Sequence, residues 1–198
     1  MNKSKWLIPG IIVGVLVLLV LMVSGSYNGL VKQREEVRTS LSNIQTQYQR
    51  RSDLIPNLVN TVKGSANFEK TTLDSVVNAR AKATSIQIDP SKATPAQLQQ
   101  YQQSQGELSQ ALGRLLAVTE NYPDLKSTRA FTDLQVQLEG TENRIAVARR
   151  DYNEIARPYN AKIQTFPSNI AAGIFNFESF PYFQATAGSD KAPTVTFP

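Results

Sequence analysis

FTDLQVQLEGTENRIAVARRDYNEIARPY, residues 131–159, places Phe131, Leu134, Leu138, Thr141, Ile145, Ala148, Tyr152, Ile155 and Tyr159 at steps that alternate between three and four. An α-helix turns once every 3.6 residues, so this spacing sets all of them on one stripe; a strand would need alternation in twos. The stretch reads as a long amphipathic helix that must bury one side against neighbours. At about 1.5 Å per residue, a helix from Asp124 to Gln164 spans roughly 60 Å. Pro158 should kink its last turns or end it early.

Working outward, the same periodicity recurs three times. Leu98, Tyr101, Leu108, Leu112, Leu115 and Thr119 form one stripe, opened by Thr94-Pro95 and stopped at Asn121-Tyr122-Pro123-Asp124. Thr before Pro suits a helix start, because the hydroxyl caps a free backbone N–H and proline has none to lose. Val59, Val62, Ala66, Leu73 and Val76 form another stripe, ended before the breaker Ile88-Asp89-Pro90-Ser91-Lys92. Leu30, Arg34, Val37, Leu41, Ile44 and Tyr48 form the earliest. Arg50-Arg51-Ser52-Asp53 then interrupts the apolar rhythm and Pro56 follows, so Ser52 or Asp53 is predicted to cap a new helix. The alternative is one long helix kinked at Pro56. The prediction is all-α: helices over about 27–51, 53–84, 95–121 and 124–165, packed as an antiparallel up-and-down four-helix bundle within 26–165.

Upstream lies an apolar run. No charged residue occurs from Trp6 to Val31, with Lys3 and Lys5 before the run and Lys32 after it. Trp6–Val23 approaches the roughly 20 residues that a helix needs to cross a bilayer. A short tail over 1–5 and a transmembrane anchor over 6–25 are expected. A cleaved signal is the competitor, with Ser24-Gly25-Ser26 as its exit, but signal cores run only about 7–15 residues. Orientation stays open: Lys3, Lys5 and the amino terminus balance Lys32, Arg34 and Arg38.

Composition narrows the chemistry. The chain has 198 residues, a formal charge of +5, no Cys and no His. It therefore lacks thiolate chemistry, a Ser-His-Asp triad and the Glu-x-x-His pairs of di-metal bundles. No cofactor, metal site or catalytic residue is expected. Basic residues are interleaved with acids, which argues against nucleic acid, whereas mild basicity suits a surface beside anionic lipid.

The far end changes character. Six of the eight Phe fall between Phe166 and Phe197, punctuated by Pro167, Pro181, Pro193 and Pro198. An aromatic extension is predicted over 166–187 and a disordered tail over 188–198.

Several motifs then converge. Arg50-Arg51-Ser52-Asp53-Leu54-Ile55-Pro56-Asn57-Leu58-Val59 resembles the signature of the LemA family of bacterial membrane proteins. So do Tyr27-Asn28, Tyr122-Pro123-Asp124-Leu125, Thr141-Glu142-Asn143-Arg144-Ile145, Tyr152-Asn153 and Phe166-Pro167-Ser168-Asn169. The resemblance runs from the anchor to Phe183, in order. It implies a single anchor followed by an up-and-down four-helix bundle in the bacterial cell (inner) membrane, and it carries no catalytic residue.

Three constellations follow from the predicted topology. Arg50, Arg51, Asp53, Tyr122 and Asp124 should meet at the pole far from the membrane, either as a docking surface or as caps paired among themselves. Near the membrane, Tyr27, Tyr159, Phe166, Phe175, Phe177, Phe180, Tyr182 and Phe183 should either face the headgroups or pack back onto the bundle. Arg34, a charge on the apolar seam, should pair with Glu69 or Glu142 at nearly its level. Gly10 and Gly14 make a small-x-x-x-small step that could join anchors into a homo-oligomer. Together these predict a single-pass, membrane-anchored, non-enzymatic scaffold, adaptor or envelope-associated interaction module. Its expected partners are the lipid bilayer and an unidentified protein. The alternatives are a lipid-interacting tether or remodeller using the aromatic segment, and a membrane enzyme subunit.

Overall fold

The computed structural model describes residues 4–64 and 68–184, with side chains from residue 9 onward. Ala66, the 188–198 tail and the last residues of the predicted extension, 185–187, lie outside the described residues. The described residues form six helices and no strand: α1 Ser4–Lys63, α2 Lys70–Ser85, α3 Pro95–Thr119, α4 Pro123–Lys126, α5 Arg129–Lys162 and α6 Ser168–Ile174.

The stripe that begins at Phe131 is α5, with Phe131, Leu138, Thr141, Ile145, Tyr152 and Tyr159 buried. Pro158 lies inside it rather than ending it. Thr94 starts α3 as expected: its hydroxyl accepts from the Gln97 N–H at 3.2 Å, and the Gln97 side chain accepts from the Thr94 N–H at 3.0 Å.

The expected break at Ser52 or Asp53 does not occur. α1 is a single helix of 60 residues, about 90 Å long, which carries the apolar run, passes through Pro56 and stops before Gly64. Two side chains remove the need for a break. Proline has no N–H to donate to the carbonyl four residues back, which belongs to Ser52. That carbonyl accepts from Arg80 Nε of α2 at 2.9 Å instead. Asp53 accepts from Gln49 Nε2 at 2.7 Å within the helix rather than capping a new one. The second helix is therefore 70–85, not 53–84.

Cross-helix contacts set the directions. α1 and α5 run antiparallel, from Arg51–Glu142 through Tyr48–Arg149 down to Gly29 beside Lys162. α2 runs antiparallel to α3, with Lys82 on Glu107 at 2.6 Å. α3 runs parallel to α1, since Tyr48 packs on Tyr101 while Arg51, further along, reaches Gln105 and Ser109. The core has two parts. The membrane-near part holds Leu30, Leu41, Tyr48, Tyr101, Ile145 and Tyr159; the far part holds Ile55, Leu58, Leu108, Leu115, Phe131 and Leu138. Between them, at one level, lie the buried polar residues Arg51, Ser52, Ser104, Gln105 and Thr141.

After α5 the chain turns through a cis Phe166-Pro167 bond into α6, which packs on α1. Asn176 ends α6 in the left-handed region at φ 52°, and Phe177 N–H donates to the Ala172 carbonyl at 2.9 Å. That bond closes a Schellman-type cap, for which Asn is one of the few suitable residues. The cap sends residues 177–183 back along α5.

Candidate functional site

Arg51 is wholly buried where the two core parts meet. Nη1 donates to Glu142 Oε1 at 2.7 Å and to Ser109 Oγ at 2.5 Å; Nη2 donates to the Gln105 side-chain and backbone oxygens at 2.7 and 3.1 Å. The guanidinium also lies 5.2 Å from the Tyr48 ring centre. It ties α1 to α3 and α5 at once. This placement corrects two expectations. Arg51 does not face a pole, and Glu142 pairs with Arg51 rather than with Arg34.

The other members of the predicted far pole separate as well. Arg50 and Asp53 are exposed on the side of α1, about 15–20 Å short of its end, because α1 continues to Lys63. Tyr122 and Asp124 do stand at the far end, where the Tyr122 ring lies 4.8 Å from Phe68 and Pro123 opens α4.

Arg34 does not reach Glu69, whose carboxylate accepts from Thr71 and Thr72. It lies 4.7 Å from the Phe177 ring centre, with Glu35 at 4.0 Å. The seam charge is accommodated by an aromatic face and partial hydration instead of a distant carboxylate.

The membrane-near aromatics divide into two sets. Phe177 and Phe183 are buried, Phe180 is half-buried, and Tyr159 is wholly buried. Of the two placements expected for them, these four take the one on the bundle and not the bilayer face. α5 holds the returning segment with a repeated Tyr-Asn pair. Asn153 donates to the Phe183 carbonyl at 2.8 Å and accepts from its N–H at 2.9 Å; Asn160 makes the same two bonds with Phe180. Tyr152 and Tyr159 hydroxyls donate to the carbonyls of Pro181 and Glu178, at 3.2 and 3.0 Å. Each pair is seven residues apart on α5 and three apart on the segment. Seven helical residues rise about 10.5 Å and three extended residues about 10 Å, so the two registers match. Burial raises the pKa of both tyrosines, which keeps each hydroxyl a donor.

Phe166, Phe175 and Tyr182 remain exposed, while Tyr27 is half-buried with its ring 4.6 Å from Phe175. Tyr182 follows Pro181, the residue held by Tyr152. It therefore stands about 15 Å up α5 from Lys162, away from the anchor.

Among the described residues no group of three or more His, Cys, Asp or Glu could hold a metal ion. A cleft of about 190 Å³ opens beside Arg34, Arg38, Lys92 and Tyr159. Its two arginines are engaged: Arg34 lies over the Phe177 ring, and Arg38 contacts Glu35 at 2.6 Å and the Ser91 carbonyl. The observable machinery is a clasp, a buried ionic junction and an apolar anchor helix.

Residues 40–197 match the family model described as LemA family, a span covering most of the chain. The chain belongs to the LemA family. Among its relatives, "Protein LemA" of Metamycoplasma hominis is 29% identical over 162 residues, 82% of this chain and 70% of that protein. "Magnetosome protein MamQ 2" of Paramagnetospirillum magneticum is 29% identical over 191 residues, 86% of this chain and 68% of that protein. "Magnetosome protein MamQ" of Magnetospirillum gryphiswaldense is 26% identical over the same length. The matched span of this LemA-family chain includes the clasp and the Arg51 junction. The Tyr-Asn repeat at 152–153 and 159–160, which the sequence reading did not use, is the signal from which the clasp could have been found. Nothing local in the sequence marked Gln105 or Ser109 as partners of Arg51.

Proposed function

We propose that this LemA-family protein is a membrane-anchored, non-catalytic interaction module of the bacterial cell (inner) membrane. Its single span would hold the helical body off the bilayer as an adaptor or scaffold. The observation that carries this reading is the continuity of α1. The same helix supplies an apolar stretch, exposed on every side from Ile11 to Met22, and the inner stripe of the body from Leu30 to Val62. A helix without a joint transmits position, so the far end at Lys63 stands about 60 Å beyond Val23. That end carries Phe68, Tyr122 and Asp124, which favours it as the place where a protein partner docks.

Photo-crosslinking residues placed at Asp124 and, separately, at Asp53 in the full chain test the reading in cells. Discrete protein adducts are expected from Asp124 and not from Asp53. Equal adducts from both positions would remove the far end as the docking place. Substrate turnover by the purified full chain would overturn the non-catalytic assignment. Reporters fused after Pro198, one active inside and one outside, assign the side of the membrane.

A further inference from the structure

α6 has a face that the body does not cover. Ser168, Ala171 and Ala172 turn inward, against a core that includes Tyr27 and Val23 of α1. Ile170 and Ile174, one helical turn apart on α6, are 44% and 61% exposed, and Phe166, in the turn just before α6, is 72% exposed. Asn169 and Gly173 share that outer side, but three large apolar side chains exposed together at one end of the body mark a contact surface rather than an ordinary water-facing one.

Its level in the molecule identifies that neighbour. α5 reaches Lys162 beside Gly29, where a Cβ on Gly29 would come within 2.7 Å of the Lys162 ammonium. The chain continues past that point toward the anchor before α6 turns back, and Phe175 rests on Tyr27. α6 therefore stands level with Val23–Tyr27, where the exposed apolar surface of α1 ends. Charge follows the same boundary. No charged residue occurs between Lys162 and Glu178, just as none occurs from Trp6 to Val31. Two charge-free segments lie side by side, with Lys32, Lys162 and Glu178 at their ends.

We infer that α6 is a second membrane contact: a foot whose Phe166, Ile170 and Ile174 side chains enter the headgroup boundary beside the anchor. Small apolar helices in that plane are held by partial burial of such side chains, and Phe favours the boundary. The foot rests on the anchoring reading above and extends it. A single span leaves a body free to lean about its entry point, whereas a second contact to one side fixes its tilt. The remaining aromatics of the extension hold the foot to the body through the Asn153 and Asn160 clasp.

The chain has no Cys, so single-cysteine variants of the full protein report position directly. Ile170→Cys and Ile174→Cys each carry an environment-sensitive fluorophore, in phosphatidylcholine–phosphatidylglycerol vesicles containing nitroxide lipids. Val15→Cys reports the anchor and Val136→Cys, 62% exposed on the far half of α5, reports solvent. Both foot labels should lose most of their emission to a nitroxide high on the acyl chain and little to one at the bilayer centre. The Val15 label should show the reverse, and the Val136 label neither. Foot labels that behave like Val136 while Val15 is quenched overturn the foot and leave the anchor standing. An unquenched Val15 label overturns both. Foot labels protected only as protein density per vesicle rises would assign the stripe to a second copy and also overturn the inference. Circular dichroism of each variant confirms its helicity, and the two foot positions must agree.

Discussion

Arg51 shows how one residue can set the register of a helical body. Its side chain is fully buried, but Glu142 keeps 41% of its side chain in solvent. The pair is therefore asymmetric. Removing the carboxylate leaves a buried cation with only neutral partners, whereas removing the cation leaves a carboxylate that can rehydrate. Glu142→Ala should destabilise by roughly 3 kcal/mol, and Arg51→Met, which keeps the volume apolar but leaves the buried Gln105 side-chain oxygen without its donor, by less, about 1–2 kcal/mol. Denaturant unfolding of both variants measures the order; Arg51→Met costing as much as Glu142→Ala would contradict it. Arg51→Lys should not rescue, because one ammonium cannot reproduce a fork that spans Glu142, Ser109 and Gln105. The sequence made the cationic pair visible at 50–51, yet the two residues face opposite ways. Periodicity separates them only when the helix is known to continue: Tyr48, Arg51, Ile55 and Leu58 then fall on one buried stripe.

At the scale of elements, Pro56 is where local reading and tertiary structure part. Proline in a helix interior costs about 3 kcal/mol or more, through a steric clash and a lost hydrogen bond. Nothing in the sequence near Pro56 showed that Arg80, on another helix, would satisfy the Ser52 carbonyl. Arg80→Met should cost roughly 1–3 kcal/mol by orphaning a carbonyl beside the buried Ser52 side chain. Pro56→Ala restores the N–H that this carbonyl lacks, so in that background Arg80→Met should cost less by about 1 kcal/mol. Additive effects in the double-mutant cycle would refute the compensation. The aromatic segment is the second element with a local signature. Its Phe content announced apolar burial but not the partner, and the heptad repeat of Tyr-Asn on α5 supplied one. Asn160→Ala removes two hydrogen bonds and leaves the Phe180 N–H unpaired, for an expected loss of roughly 1–3 kcal/mol. Faster amide exchange over 177–183 in that variant, with α3 unchanged, would place the loss in the clasp.

For the whole molecule, what was legible is what depends on periodicity and composition: the helical class, the apolar first span and the absence of imidazole and thiol. Directions and pairings depend on where α1 ends, and one misplaced turn moved a predicted pole to the side of a helix. The same composition makes a prediction about pH. Without His or Cys, no side chain ordinarily titrates between about pH 6 and 8, so stability should be nearly flat there. Below that range, Asp89 and Glu107 have lowered pKa values, from Ser91 and Lys82 hydrogen bonds respectively. Their contribution is present above the ordinary carboxyl value and is lost as pH falls. Above it, Tyr48, Tyr101, Tyr152 and Tyr159 all have raised pKa values, with burial as the leading cause. Nearby cations act as corrections: Arg149 lowers the value at Tyr48, Arg51 lowers it at Tyr101 and Arg34 lowers it at Tyr159. Unfolded tyrosines ionise near pH 10 while the folded hydroxyls keep their protons, so the unfolded chain gains from each further rise in pH. Stability contributed by these residues is therefore complete below about pH 10 and is lost as pH rises above it. Tyr101 is the cleanest probe, because its ring packs edge-on against Tyr48 at 5.5 Å. Tyr101→Phe keeps that contact, so it should change neutral stability by less than about 1 kcal/mol while making the alkaline decline shallower by one proton. Denaturant midpoints between pH 8 and 11 measure both quantities. An unchanged slope in Tyr101→Phe would mean that this hydroxyl already ionises in the folded body, and that the membrane-near core is wetter than its packing implies.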